Sequence, residues 1–326
     1  ELLDLLGNDG VPLPGAYWSP LFLAAEAAFV NRSGLLGFFH DFIRQAVRSR
    51  YLSTPESQHA AHLRLADYFA VRESGPRQID ELPWQLAEAH SWHRLADLLG
   101  DVPFLSRFWR QSQFEVMASW VQVDEHSERR MGETYRFVLD APQLFEGHLP
   151  DLATLLDQTG HQQESLALNT LIAHLCRGRG DRTRLARALG NQARLLAARG
   201  DLNAAMALHK ESEQIFRQLG DHSGLQASLG NQAVILATRA DLRGALVLMR
   251  EEERICRELG HKNALGNALG NQATILARSG ALELAMALLK EEQQIYRELG
   301  DLNSLQTSLG NQARILEQCL DPDGAM

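Results

Sequence analysis

The pentapeptide LGNQA stands at residues 189–193 and returns at 229–233, 269–273 and 309–313, 40 residues apart each time. A strict period of this size is the mark of stacked supersecondary units, none of which can bury its apolar face alone. Within one copy, apolar residues recur at helical spacing twice, which predicts a first helix over 223–238 and a second over 241–258. Gly220, Gly260 and Gly300 fall where a helix can end in a left-handed residue, and Asp201 and Asp241 where the next helix needs an N-cap acceptor. By the same reading Arg199-Gly200-Asp201 is a helix end followed by a helix start, and not an adhesion tripeptide.

A glycine inside a helix costs about 1 kcal/mol relative to alanine, so Gly190, Gly230, Gly270 and Gly310 need an offsetting gain. At 100° per residue, Leu185, Leu189, Gln192, Ala193 and Leu196 share one side of the first helix. Ala186, Gly190 and Ala197 form an adjacent small-residue strip, and Leu195, with its counterparts Ile235, Ile275 and Ile315, lies on the other flank. More than half of the circumference is apolar or small, so this helix is packed on two sides. The missing Cβ is expected to let a neighbouring helix approach closely.

One window of that helix escapes apolar packing. It holds Asn191, Asn231, Asn271 and Asn311, together with Arg187, Arg194, Val234, Asn267, Thr274, Arg278 and Arg314. The window is expected to line the inner, concave face of the array. A constant amide suits the repeating hydrogen-bonding groups of an extended peptide, and the varying positions 194, 234, 274 and 314 would set specificity. The rival is a hydrogen-bond ladder of asparagines between repeats that binds nothing. Four arginines and no acid in the window make an acidic or phosphorylated peptide the expected guest.

Composition divides the chain. Of 22 aromatic residues only Phe216 and Tyr296 follow residue 146, and no proline occurs between Pro150 and Pro322. A domain boundary is therefore expected near 146. Leu149, Ala153, Leu156 and Gly160 sit one period before Leu189, Ala193, Leu196 and Gly200, so a degenerate first repeat is expected to begin near 147. Asp321, Ala325 and Met326 keep the phase of Asp201, Ala205 and Met206. The last six letters thus read as the start of a further second helix, and the sequence as a fragment of a longer protein.

The small residues at the helix contact, the glycine–aspartate turn and Ala205, Ala245 or Ala285 early in the second helix resemble the tetratricopeptide repeat, most closely the kinesin-light-chain and nephrocystin type. The chain departs from that pattern at Ser212, Glu252 and Glu292, where a small residue is usual. Before the repeats, LLGFFHDFIRQAVRSRYL predicts a helix capped near Asp41 that packs Phe42, Ile43, Ala46 and Val47. ELPWQLAEAHSWHRLADLL gives further helix, with Leu82, Leu86, Trp92, Leu95, Leu98 and Leu99 inward. This half resembles the region after the nucleotide-binding domain in NACHT- and NB-ARC-type (STAND) signalling ATPases, Phe39-His40-Asp41 standing where their Met-His-Asp signature falls.

The resemblance implies a mainly α chain: a winged-helix-like module over 1–55, a helical linker over 56–146, and a right-handed tetratricopeptide-repeat superhelix of 40-residue helix pairs over 147–326. It implies that His40 contacts the ADP phosphate when an upstream nucleotide-binding domain is present, with ADP or ATP as cofactor of the full-length protein and none in this fragment. The function so implied is the regulatory and sensor half of a STAND-type ATPase, which binds a protein or peptide trigger. The alternative is a stand-alone tetratricopeptide adaptor.

The rest of the sequence narrows the field. There is no GxxxxGK[ST], HExxH or GxSxG, so the fragment is expected not to be an enzyme. The histidine pairs His59/His62 and His90/His93 lack further ligands and read as helix-surface or half-buried residues, with no metal expected. The net charge is −9, and residues 181–320 balance 17 Lys+Arg against 16 Asp+Glu, so no basic stripe for nucleic acid is present. No apolar run reaches the roughly 20 residues of a membrane helix. Three cysteines without a CxxC pair fit a reducing, cytoplasmic setting, and 29 arginines against three lysines hint at a GC-rich bacterial genome. Cys176 and Cys256, at the repeat position of Phe216 and Tyr296, are expected to be small core residues, and Arg250–Arg254 (REEER) a solvated outer face.

Overall fold

The computed structural model describes residues 2–7, 11–32, 35–72 and 75–320. The chain divides into two compact units between Val138 and Leu139, eight residues ahead of the boundary that composition suggests. The further helix start expected at residues 321–326 lies outside the described residues.

The first unit opens with helices α1 (Leu2–Leu6) and α2 (Gly15–Ala25), followed by an antiparallel hairpin of β1 (Phe29–Arg32) and β2 (Leu35–Phe38) in which Phe29 opposes Phe38. Helix α3 (Asp41–Tyr51) comes next. Helix and hairpin are thus present in the segment expected to be winged-helix-like. None of these three helices has a buried residue. Phe42 and Ala46, expected inward, are exposed, and Ile43 and Val47 are only half-buried, because two four-residue strands and two short helices offer too little surface to cover α3.

The core of this unit lies in α4 (Pro55–Ala70), α5 (Pro76–Glu88), α6 (Trp92–Gly100), α7 (Val102–Gln111) and α8 (Gln113–His126), followed by the short α9 (Met131–Thr134) and α10 (Phe137–Asp140). The segment read as one helix from ELPWQ onward is two. The chain turns at His90 (φ 48°), where Ser91 N–H donates to the carbonyl of Leu86. Leu82, Leu86, Leu95 and Leu99 are buried as expected, whereas Trp92 and Leu98 are half-buried. Trp92 instead stacks between His90 and His126. The Trp120 indole donates to the Tyr135 hydroxyl at 3.1 Å, which donates to the Leu99 carbonyl at 2.8 Å, so both buried polar groups are satisfied.

The second unit is the repeat array. Its helices run in pairs: α11 (Leu149–Gln158) with α12 (Gln162–Arg179), α13 (Arg182–Ala198) with α14 (Leu202–Leu219), α15 (His222–Thr238) with α16 (Leu242–Leu259), α17 (Lys262–Arg278) with α18 (Leu282–Leu299), then α19 (Leu302–Leu320). The degenerate first repeat is real, with Leu149, Ala153 and Leu156 buried. Asp181, Asp201, Asp221 and Asp241 cap their helices by accepting a backbone N–H three residues on, at 2.9–3.1 Å. Gly200 has φ 87° directly before the Asp201 cap, so Arg199–Asp201 is a turn.

Each first helix is packed on two sides, as the pattern requires. Ala193 meets Ala205 and Met206 of its own repeat and Ile235 of the next, and Ala233, Ala245, Met249 and Ile275 repeat the arrangement one period on. Two fully buried alanines let the axes come close, and the larger side chains close the seam between repeats at about 1.5–3 kcal/mol each.

Ala240 breaks the glycine rule. It adopts φ 64° at the position where Gly160, Gly200 and Gly280 hold positive φ. A left-handed alanine costs about 1–2 kcal/mol, so Ala240→Gly is expected to raise stability by about 1 kcal/mol. A melting temperature at or below that of the wild type would refute this.

Candidate functional site

The first helices of the array line three cavities. One of about 430 Å³ lies between α13, α14 and α15 and is lined by Arg187, Asn191, Arg194 and Asn231 among others. A second, of about 290 Å³, lies between α17, α18 and α19 and takes in Asn267, Asn271, Thr274 and Asn311. A third, of about 200 Å³, includes Thr274, Arg278, Asn311 and Arg314. Ten of the eleven residues singled out in the sequence therefore line cavities; Val234 is exposed but belongs to none of the three linings.

Their bonding differs from copy to copy. Asn191 donates to the Asn169 side chain at 3.3 Å, and Asn267 accepts from the Tyr296 hydroxyl at 2.9 Å. Thr274 donates to the Gly270 carbonyl at 3.0 Å, Arg278 to the Ala237 carbonyl at 3.4 Å, and Arg314 to Asn311. Asn231, Asn271 and Arg187 have no side-chain partner among the described residues. Acids are present after all: Arg194 is ion-paired with Asp157, Asp221 lines the first of these cavities, and Glu292 lines the second. The helical wheel of a single helix could not show groups delivered by neighbouring helices.

A ladder between repeats does exist, made mainly by the fourth letter of the pentapeptide; of the third letters, Asn191 alone reaches another repeat among the described residues, at Asn169. Gln232 donates to Glu213 at 2.7 Å, Gln272 to Glu253 at 2.8 Å, and Gln293 to Gln312 at 2.9 Å, each joining one repeat to the next. Glu213 and Glu253 also hold Arg217 and Arg257. Those arginines reach Glu251 and Glu291 of the following repeat, as Arg177 reaches Glu211. The arginine pairs are largely exposed, so each contributes at most about 1 kcal/mol.

The pentapeptide glycine makes room for a side chain and not for a helix backbone. A Cβ on Gly230 would stand 2.6 Å from Oε1 of Glu252, and one on Gly270 would collide with the carboxyl of Glu292. Both glutamates are buried, so Arg250–Arg254 is not wholly a solvated face. Burial pushes the Glu252 carboxyl up to about 7 and leaves its Oε2 without a partner. Glu292 is raised by the same cause but accepts from Ser308 at 2.5 Å. In the second repeat Ser212 takes this place and donates to the Ala186 carbonyl. Beside it His209 is buried, pushed down to about 4, and its Nδ1 has no partner. The sequence did carry this signal: helix glycines facing three departures from the small-residue pattern.

Cys176 and Cys256 are buried free thiols raised by burial, with no disulfide to either. His62 pairs with Gln85 at 2.8 Å, and among the described residues no group of three metal-ligating side chains is found. No described helix is long and apolar enough to cross a membrane. In the first unit His40 is the exposed residue preceding α3, edge-on to Phe39 and stacked on Phe42, while Asp41 pairs with Arg44 at 3.0 Å.

No protein family model matches this sequence. Over 87 residues, 26% of the chain, it is 33% identical to a TPR repeat-containing protein of Dictyostelium discoideum, and the match spans only 5% of that protein's length. Among solved structures, the chain is similar to BtubC (BKLC) from P. vanneervenii, with a TM-score of 0.47 and 17% identity over 77% of this chain and 94% of that one. It is also similar to a Signal Transduction ATPase with Numerous Domains protein with a tetratricopeptide repeat sensor from Pyrococcus horikoshii. There the TM-score is 0.49 and the identity 16%, over 92% of this chain and 43% of that one.

The buried carboxyl makes the array pH-dependent. With its folded value raised above the ordinary 4.5, Glu252 contributes stability fully below pH 4.5 and loses it as the pH rises towards about 7. Glu252→Gln is therefore expected to gain roughly 3 kcal/mol over the wild type between pH 4 and pH 8. Gly230→Leu should cost about 1–3 kcal/mol, and less in a Glu252→Ser background, where the space is free. Denaturant unfolding at the two pH values checks both; a pH-independent difference, or an unchanged Gly230→Leu cost, would contradict this account.

Proposed function

We propose that the repeat array binds an extended, acidic peptide segment of a protein partner along the concave face of its first helices. The observation that carries this reading is the division of labour within the pentapeptide. The buried glutamine takes up the bonding between repeats, while Asn231 and Asn271 line open cavities with their amides unengaged. A side-chain amide offers both a donor and an acceptor, which is what an extended backbone presents in return. Arg187 adds a cation without a partner beside the same cavity.

We further propose that the chain is the regulatory and sensor half of a STAND-type signalling ATPase in the cytoplasm, its first unit restraining an upstream nucleotide-binding domain in cis. Phe39-His40-Asp41 directly after the hairpin supports this, as do the exposed Tyr17, Leu21, Leu23, Phe39, Phe42 and Tyr51, an apolar surface of the kind that docks another domain. His40 would then meet the ADP phosphate of the resting state. The stand-alone adaptor shares the groove and differs in having no ATPase upstream.

The paired variant Asn231→Ala with Asn271→Ala is expected to keep its melting temperature and lose peptide binding; loss of stability with binding intact would make the asparagines structural. In the full-length protein, His40→Ala is expected to release ADP faster and to signal without a trigger. Unchanged ADP affinity and basal signalling would sink the ATPase reading, and an upstream reading frame without a Walker A motif would favour the adaptor.

A further inference from the structure

The third and fourth repeats fill the space between their two helices with the chain's own carboxyl groups: Glu252 against Gly230 and Glu292 against Gly270. The second repeat keeps the glycine and removes the acid. An added Cβ on Gly190 would lie 3.7 Å from Oγ of Ser212, so the volume that a glutamate occupies elsewhere is left open. The cavity here measures about 430 Å³, against about 290 Å³ where Glu292 stands.

We propose that this cavity is a subsite for one carboxylate side chain, glutamate or aspartate, of the bound peptide, which takes the place held by Glu252 and Glu292 in the neighbouring repeats. The inference rests on the peptide-groove reading above. Three groups around the space suit such a guest. Ser228 stands two periods before Ser308, whose hydroxyl holds Glu292; it now donates to the His209 carbonyl at 2.9 Å and can rotate to a guest oxygen. The buried His209 brings an Nδ1 with no hydrogen-bond partner among the described residues. Arg187, replaced by Ala227, Asn267 and Thr307 in the other copies, supplies an unpaired cation. The acid in the lining, Asp221, is occupied in capping Gly224, and Arg194 is neutralised by Asp157. Arg187 is then the one arginine of the lining without an ion-pair partner among the described residues, and a guest carboxylate can supply that partner where a lysine cannot.

The test uses a displayed library of random dodecapeptides panned on the purified chain, with the strongest binder then made with each acidic residue changed to its amide. Binders are expected to share an acidic residue, and its amide should bind about tenfold more weakly or worse. Ser212→Glu, whose new carboxyl Gly190 accommodates, should no longer distinguish acid from amide. Arg187→Ala, at an exposed position, should reduce the preference without changing the melting temperature, and so tests the subsite even if Ser212→Glu misfolds. Binders without a shared acid, or an undiminished acid preference in both variants, would overturn the subsite and leave the groove standing. No binder at all would overturn both.

Discussion

A helix packed on two sides has little circumference left over, and the repeat array follows from that constraint. Ala193 against Ala205, and Ala233 against Ala245, bring the paired axes close, while Ile235 and Ile275 reach back to close the seam with the preceding repeat. Once those faces are taken, only a narrow window remains for anything else. The asparagines occupy it, and the glutamine beside them turns inward to a partner on the preceding repeat. Binding capacity in this fold is what packing leaves unused.

The interior is not purely apolar, and its polar members divide by how well they are satisfied. Gln232 and Gln272 find carboxylates, and Ser212 and Ser228 find backbone carbonyls. Glu252 and His209 each keep an atom unmet. An unpaired buried polar atom costs more than a well-made bond contributes, so the two are points of tension and not of strength. Both lie on second helices, one repeat apart.

The period, helix limits, caps and two-sided burial were legible in the sequence because each is set by local rules: spacing, glycine at a left-handed position, aspartate before a helix. The window of the cavity residues was legible for the same reason. The partner of each side chain was not. Glu252 reads as one letter of a charged run, and its burial depends on the absent Cβ of a residue 22 positions earlier. Asp157 reaches Arg194 from a repeat away. In the first unit the apolar letters of α3 gave the helix correctly but not its burial, since periodicity marks a face and says nothing of what covers it.

The arginine–glutamate links have a direction. Arg177, Arg217 and Arg257 each extend to a glutamate 34 residues later, in the following repeat, so these three junctions each present a guanidinium on one side and a carboxylate on the other. Such junctions are interchangeable. Removing or duplicating a block of 40 residues rejoins an arginine side to a glutamate side, and the glutamine contacts and the isoleucine seam re-form in register with them. A chain carrying this array can therefore change length in whole periods while these junctions keep their chemistry, whereas any other length change puts the arginines and glutamates out of register.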